Sequence, residues 1–546
     1  MAEDVRPSAL LSAGNAPEMT AKTWTLVAAV LGSSIVFLDS AVLTVAIKAI
    51  GEQPRLFVSV LEGQNYIQFG YLLTLSTLLI LSGALSDYYG RKRLFVIGLV
   101  GFGATSLLCA IAPNIEFLIV ARLLQGASGA ILVPGSLAIL SNNFQGEEQG
   151  RAFGIWAAAS GAAPIFGPFI GGLLVDYLSW RWIFALNLPL IAVAVWAARR
   201  YVAESRDEHS TGDFDWLGAF LVAVAVGGLS FGAIYGEQRQ WQDPLAFAVL
   251  GIGAVVMVAL PFYFARRKNP LVPLSLFRSR NFSVTNVSTL VIYGALYTVL
   301  FFLPLFMLGV LGYSAAGVGI ALIFGPIFLL VLSTRFGTLS ARAGPRWFMT
   351  IGPLLMAAGV AWYARLPADS QPWNLRLEDS STYLPPTDYL VDILPASLVF
   401  GLGLAVMVAP LTTALMRSVP SRRAGIASAF NNAVSRVGPQ LAGALIFVVI
   451  TQTFYASLAT RVAGLDTDAA EVRETFAPLN PVPEEVPGDQ AQAATQASTD
   501  AFHLAMLTGA GLLVVGAVVN GLGIDNRQAL SGAHSSAGTN ASAAPP

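Results

Sequence analysis

Long apolar stretches alternate with short polar ones from residue 24 to residue 522. Runs of about 18–25 apolar residues are long enough to cross a hydrocarbon layer as helices. Such runs are predicted at 24–50, 63–86, 93–112, 115–140, 150–175, 181–198 and 214–235. Seven more follow at 244–265, 282–309, 313–338, 346–364, 389–415, 423–455 and 502–522, making fourteen. The pattern predicts an all-α polytopic membrane protein. Two of its polar breaks are long: 365–388, with Trp373, Pro385 and Pro386, and the acidic, Pro-rich 456–501. Both read as solvated outer spacers. Residues 1–20 and 525–546 are predicted to be disordered tails.

Composition agrees. The chain is 55% hydrophobic and 12% charged, with mean hydropathy +0.65, against roughly 25% charge in a soluble domain. A net charge of −1 gives no reason to expect a nucleic-acid partner. The single cysteine, Cys109, sits inside an apolar run and reads as a small core residue. Residues 1–20 have no apolar signal-peptide core, so the first span is expected to serve as the anchor.

Orientation follows from the basic residues. With the N-terminus inside, the inner segments hold Arg91, Lys92, Arg93, Arg151, Arg199, Arg200, Arg266, Arg267, Lys268, Arg342, Arg417, Arg422 and Arg423. The outer segments hold few, among them Arg55, Arg239, Arg365 and Arg376. That asymmetry places both termini on the cytoplasmic side of a cell membrane crossed many times.

The two halves of the chain repeat. Gly83, Leu85, Ser86 and Gly90 reappear 254 residues later as Gly337, Leu339, Ser340 and Gly344. Arg151, Gly154, Gly167, Pro168 and Gly172 reappear 271 residues later as Arg422, Gly425, Gly438, Pro439 and Gly443. Such symmetry fits a transporter of two six-helix bundles around a central cavity. The expected division is a tail 1–23, a bundle 24–198, a two-helix linker region 199–281, a second bundle 282–522 and a tail 523–546.

Charge inside a membrane helix is expensive and usually functional. Asp39, Arg122 and Arg436 lie well inside spans, with Lys48 near the outer end of the first. Asp39 is roughly 22 Å and Arg122 roughly 10 Å into their spans at about 1.5 Å per residue. Both fall in the outer half of the membrane, where they can pair. Two readings stay open: a carboxylate that takes and releases a proton during transport, and a static ion pair that locks two helices.

Three segments carry further signals. Gly83-Ala-Leu-Ser-Asp87-Tyr-Tyr-Gly90-Arg91-Lys92-Arg93 is a tight charged turn between two spans. Arg122, Gln125, Gly126 and Gly129 make one polar, small face, and 161–172 carries Gly161, Pro164, Gly167, Pro168, Gly171 and Gly172. Small residues let helices approach closely, and prolines bend them. Together these segments resemble three successive motifs of the major facilitator superfamily. Leu38-Asp39, the run from Trp180 through Asn187 to Pro189, Pro273-Leu-Ser-Leu-Phe277, and the two linker spans resemble its 14-spanner drug:H+ antiporter family. The resemblance covers about residues 24–450. It implies proton coupling through Asp39 and Arg122. It implies gating by Gly83, Asp87, Gly90 and Arg91, and by the seam Gly161, Gly167, Pro168, Gly171 and Gly172. The chain departs from the family where Ala41, Thr44 and Lys48 follow Asp39, and where Ala341 is the second-half counterpart of Asp87.

Substrate contacts are expected from a mostly apolar, aromatic lining. Gln64, Gln68 and Tyr71 share one face of the second span, and Tyr293 and Tyr297 lie on a stripe of the ninth. Phe37, Gln125, Trp156, Asn432 and Arg436 join them as candidates. Each also has a plain packing role to set beside this. The expected function is proton-coupled efflux of amphipathic or drug-like small molecules by alternating access. A dedicated exporter of one metabolite or weak acid is the alternative within transport, and a non-transporting ligand sensor the alternative outside it. His209, His503 and His534 are far apart and no phosphate loop or metal cluster stands out. The expected protein is therefore not an enzyme, takes no metal or cofactor, and acts as a monomer on small molecules and protons in a lipid bilayer.

Overall fold

The protein is described by a computed structural model. It covers residues 16–51, 53–54, 60–206, 214–238, 243–374, 380–462, 464–467, 469–483 and 485–526. Of the expected disordered tails 1–20 and 525–546, residues 1–15 and 527–546 lie outside these residues, whereas 16–20 are not disordered but form the first turn of a helix.

All the regular structure among the described residues is helical. The first group is α1 (Ala16–Gly51), α2 (Val60–Tyr89), α3 (Arg91–Ala110), α4 (Ile115–Asn143), α5 (Gly146–Tyr177), α6 (Arg181–Ala185) and α7 (Asn187–Tyr201). Next come α8 (Trp216–Gln238) and α9 (Pro244–Arg266). The rest are α10 (Arg280–Gly309), α11 (Ala315–Leu322), α12 (Phe324–Ala343), α13 (Arg346–Tyr363), α14 (Leu394–Arg417), α15 (Ala424–Arg461), α16 (Ala470–Thr475) and α17 (Gly488–Gly523). Every predicted span falls on a helix or a pair of helices. The sixth is broken at Leu186 into α6 and α7, and the tenth at Ile323 into α11 and α12. Pro189 explains the first break. It has no N–H to continue a ladder but is tolerated in a first turn, so the helix restarts at Asn187.

Twelve helical segments among the described residues are long and apolar enough to cross a membrane. The other two predicted spans are helices as well, α5 with 32 residues and α13 with 18. Large apolar side chains such as Ile97, Val100, Val255, Val258, Phe262, Val515 and Val518 are exposed on the bundle's outer surface. A surface of this kind is unfavourable in water and ordinary against lipid tails.

Helices α1–α7 pack on one another, as do α10–α15 with α17. One apolar core lies within the second group, and the other runs from the first group through α8 and α9 to residues of α14 and α15 such as Leu415 and Ile426. The pair α8 and α9 packs mainly on itself and against α2 and α15. The two groups meet along α5 with α12 and α2 with α15. These are corresponding helix pairs in the two repeats, as the internal symmetry predicts.

The long breaks are more ordered than spacers. Helix α17 begins at Gly488, well before the predicted 502, because 488–501 is rich in Ala and Gln, which favour helix without adding hydropathy. Phe476 and Leu479 are buried in the second core, and the Tyr455 hydroxyl donates to Phe476 O at 3.0 Å. Trp373 is buried and donates to Thr382 O at 3.0 Å. Both segments thus fold back over the second helix group.

Candidate functional site

Seven side chains from five helices converge inside the first group. Asp39 comes from α1, Tyr71 from α2, Ser106 and Cys109 from α3, Arg122 and Gln125 from α4, and Asn187 from the start of α7. The Asp39 carboxylate accepts from the Arg122 guanidinium on Oδ2, and on Oδ1 from Gln125 Nε2 at 3.1 Å and Asn187 Nδ2 at 2.8 Å. Arg122 Nη1 also donates to Gln125 Oε1 at 2.7 Å, and its Nε to Ile67 O at 3.4 Å. Ser106 Oγ accepts from Gln125 at 2.8 Å and from Asn187 at 3.3 Å. The thiol of Cys109 donates to Gln125 Oε1 at 3.6 Å. Tyr71 donates to Val36 O at 3.2 Å while its ring lies under the Arg122 guanidinium, 4.1 Å from the centroid.

Asp39, Arg122, Gln125, Asn187 and Ser106 are each at most 1% exposed. Removing one partner from a buried ion pair strands the other charge, a loss of about 3–5 kcal/mol. The network therefore holds α1, α3, α4 and α7 together and keeps the carboxylate ready-solvated by protein donors. Asn187 and Ser106 were not among the expected site residues. Neutral polar side chains in separate spans carry no spacing signal, although Asn187 lies in the Trp180–Pro189 segment.

A second cluster joins the two helix groups at the end bearing the 87–93 turn. Asp87 accepts from Arg91 Nε and Nη2 at 3.0 and 2.9 Å. It also accepts from the backbone of the other group, Gly425 N at 3.2 Å and Ile426 N at 2.9 Å. Those are first-turn amides of α15, whose N-cap Arg423 supplies no side-chain capping bond. The carboxylate thus caps a helix in the opposite group and faces its positive end. Arg91, 1% exposed, donates to Ser421 O at 2.6 Å.

Close backbone approach accompanies the cap. A Cβ on Gly83 would lie 2.3 Å from Ala429 Cβ and 2.6 Å from Gly425 O. Gly90 has φ +112°, and Glu204 takes its open side, accepting from Lys92 N at 3.0 Å and Arg93 N at 3.1 Å. On the other seam, α5 meets α12 at Gly161, where a Cβ would lie 2.1 Å from Leu329, while Gly167 meets Ala41 of α1. Gly171 is buried in the same helix. Two contacts cross that side without a buried carboxylate: Arg342 pairs with Glu147 (2.5 Å), and Arg417 donates to Gly146 O at 2.5 Å. The Arg417 bond to Ala341 O, 3.0 Å, stays within the second group.

The expected substrate residues are scattered in role. Trp156 is buried and donates to Ser33 Oγ at 2.8 Å and Ser136 Oγ at 3.1 Å, inside the first core. Tyr71 and Gln125 belong to the Asp39 network. Tyr293 is half-buried against the second core. Asn432 is half-buried and donates to Ser428 O at 2.9 Å in its own helix. Phe37 and Arg436 face each other across the two groups, 5.4 Å from guanidinium carbon to ring centroid. The side chains of Lys48, Gln64, Gln68, Pro168 and Tyr297 lie outside those described, and Gly172 is placed only as a residue of α5.

Comparison with known proteins gives a concordant result. The family model of the Major Facilitator Superfamily matches residues 29–443. The chain is 30% identical over 435 residues to the multidrug resistance protein Stp of Mycobacterium tuberculosis (strain CDC 1551 / Oshkosh), covering 80% of this chain and 77% of that protein. It is 31% identical over 442 residues to the puromycin resistance protein pur8 of Streptomyces alboniger, covering 80% and 83%. Among solved structures it is similar to the human organic anion transporter MFSD10 (TETRAN), with TM-score 0.54 and 14% identity over 92% of this chain and 99% of that one. That last likeness is one of fold. With two helix groups, a family match over most of its length and curated relatives of resistance function, the chain belongs to the Major Facilitator Superfamily, whose members are membrane transporters and not enzymes.

Proposed function

We propose that the protein exports amphipathic small molecules in exchange for protons by alternating access. The observation that carries this reading is the Asp39 carboxylate, buried at mid-span and held by Arg122, Gln125 and Asn187. A charge in that position needs a use or a tight partner, and here three donors from two other helices surround a group that a proton would neutralise. Protonation would remove the attraction to Arg122 and loosen α1 from α4 and α7. A proton arriving from outside would thus alter the packing of the helix that also carries Phe37. Asp87, Arg91 and Gly83 act in this scheme as one side of a gate, and the α5–α12 seam with Gly161 as the other. Substrate would be released where the halves part, opposite the closed end.

The same reading gives fourteen crossings, with α5 and α13 spanning alongside the twelve apolar segments. It divides the chain into bundles 24–198 and 282–522 with the linker region 199–281, and sets both termini in the cytoplasm of a bacterial cell. The protein works as a monomer without a nucleic-acid partner. The homologues named for multidrug and antibiotic resistance support efflux of small molecules as the activity.

The test is flux in inverted vesicles carrying a pH gradient, with a panel of cationic, neutral and anionic fluorophores. Wild-type flux should collapse when the gradient is dissipated and be lost in Asp39→Asn protein of unchanged thermal melting. Equal gradient-driven flux in both proteins would make Asp39 a static partner of Arg122 and sink the coupling scheme.

A further inference from the structure

Among the described residues, Arg436 stands apart from Asp39 and Arg122, the other charges placed well inside spans. It lies 12 residues into α15, about 18 Å along the helix, and is half-buried. Among the described residues no carboxylate pairs with it. Its contact is the Phe37 ring of α1, 5.4 Å away in the other helix group. Asp39, two residues further along α1, is bonded instead to Arg122, Gln125 and Asn187. The first group has therefore neutralised its own buried charge internally and left the cation of the second group unmatched.

The stripe of α15 that leads to Arg436 shows what surrounds it. Gly425 and Ala429 lie on that stripe and are pressed against Gly83 of α2 with no room for a side chain. About two turns further along, the same stripe presents Arg436 and, one turn before it, the half-buried Asn432. Arg436 and Asn432 are not closed over as Gly425 and Ala429 are, so a long guanidinium fits here where Gly83 leaves no space for a methyl. A guanidinium inside a membrane span without a counter-charge is unfavourable unless a ligand meets it. Its planar fork matches a carboxylate or sulfonate, and an aromatic ring beside it offers a stacking wall.

We propose that Arg436 and Phe37 form a recognition site for aromatic anions, in which the guanidinium takes the ligand's carboxylate or sulfonate and Phe37 stacks on its ring. This names the substrate class for the exporter proposed above and rests on that reading only for direction of travel. Binding at the site needs no proton gradient. The anion would neutralise Arg436 as it displaces the cation from the Phe37 face, coupling occupancy to the helix that holds Asp39.

Equilibrium dialysis of the purified full-length protein, without any gradient, decides it. The probes are naphthalene-2-sulfonate and the matched cation 2-naphthyltrimethylammonium. Wild type should bind the sulfonate more tightly than the cation. Arg436→Gln should weaken the sulfonate about 10-fold or more without weakening the cation, and Arg436→Lys should retain an intermediate affinity. Phe37→Leu should weaken both probes. Equal sulfonate affinity in wild type and Arg436→Gln, or wild-type preference for the cation, would overturn the site. Asp39→Asn protein should still bind the sulfonate. Retained binding together with unaltered flux in Asp39→Asn would therefore refute coupling and leave the anion site standing.

Discussion

Replacing Asp87 by Asn should open the closed end of the bundle, and the structure sets the size of the effect. Arg91 and Asp87 lie in the same helix group, four residues apart, so their mutual bond survives when the groups separate. What is lost on opening is the contact to the other group: the caps on Gly425 N and Ile426 N, and the facing of a negative charge toward the start of α15. A carboxylate at a partly buried helix N-terminus contributes up to about 2 kcal/mol, and charge-assisted bonds are of the same order. An Asn oxygen can keep one amide but not the charge. The loss on the closed state is therefore about 2 kcal/mol, or roughly 30-fold in the closed-to-open ratio. Asp87→Ala, which keeps neither, should exceed it. Spin labels on cysteines introduced at the exposed positions Gln145 and Ala343 span the opposite seam and leave Asp87 untouched. Cys109 is buried and stays unlabelled. Wild type should show a dominant short distance, and Asp87→Asn a population shifted to longer ones. Identical distance distributions in the two proteins would refute the capping argument.

Two further outcomes use the same labels. Gly83→Ala should also populate the longer distance, since its Cβ would sit 2.3 Å from that of Ala429, and adding Ala429→Gly should recover part of the short one; no shift in Gly83→Ala would show that the contact yields freely. On the other seam, the bond from Arg342 holds the exposed Glu147 carboxyl below the ordinary carboxylate range. A lowered value means the pair contributes fully above the usual titration range, about pH 4, and is lost as pH falls through the lowered value. The short-distance fraction should therefore drop only under acid conditions and under high salt, and Arg342→Gln should abolish that acid step; a step that persists in the variant would assign it to another group.

The parts of this fold that sequence makes legible are those written as hydropathy. Helix ends agree closely where a span is bounded by charge, as at Arg91, Arg266 and Arg346. They disagree where a helix leaves the membrane but continues, as α17 does through 488–501, because Ala and Gln favour helix yet add no apolar signal. The Asp39–Arg122 pair is legible for the same reason, two charges inside apolar runs. Its setting is not. Ser106 and Asn187 are ordinary polar residues in helices whose order in space a hydropathy profile does not give, and Tyr71, on a face suited to substrate, lies beneath a guanidinium instead. Glu204 is a loop residue far from the 83–93 turn in sequence, and only the fold brings it to the start of α3.

The internal repeat has kept its backbone devices while its charges diverged. Gly90 and its counterpart Gly344 both have positive φ, +112° and +87°. Each opens onto a side chain that caps the helix beyond it: Glu204 on α3, and Asn526, whose Oδ1 accepts from Arg346 N at 3.1 Å, on α13. The two seams between the helix groups are not symmetric. On the α2–α15 side a buried carboxylate caps the opposite group. On the α5–α12 side its counterpart is Ala341, which offers only a carbonyl to Arg417, and the ion pair there, Arg342 with Glu147, is exposed at 65% and 49%. Exposed pairs are screened and contribute little, whereas a desolvated cap is worth more and responds little to salt. The two seams should therefore part unequally, α5 from α12 first, with α2 and α15 as the side that holds until Asp87 lets go. That order places the hinge next to α15, the helix that carries Arg436, and keeps its cation against Phe37 longest as the closed end opens.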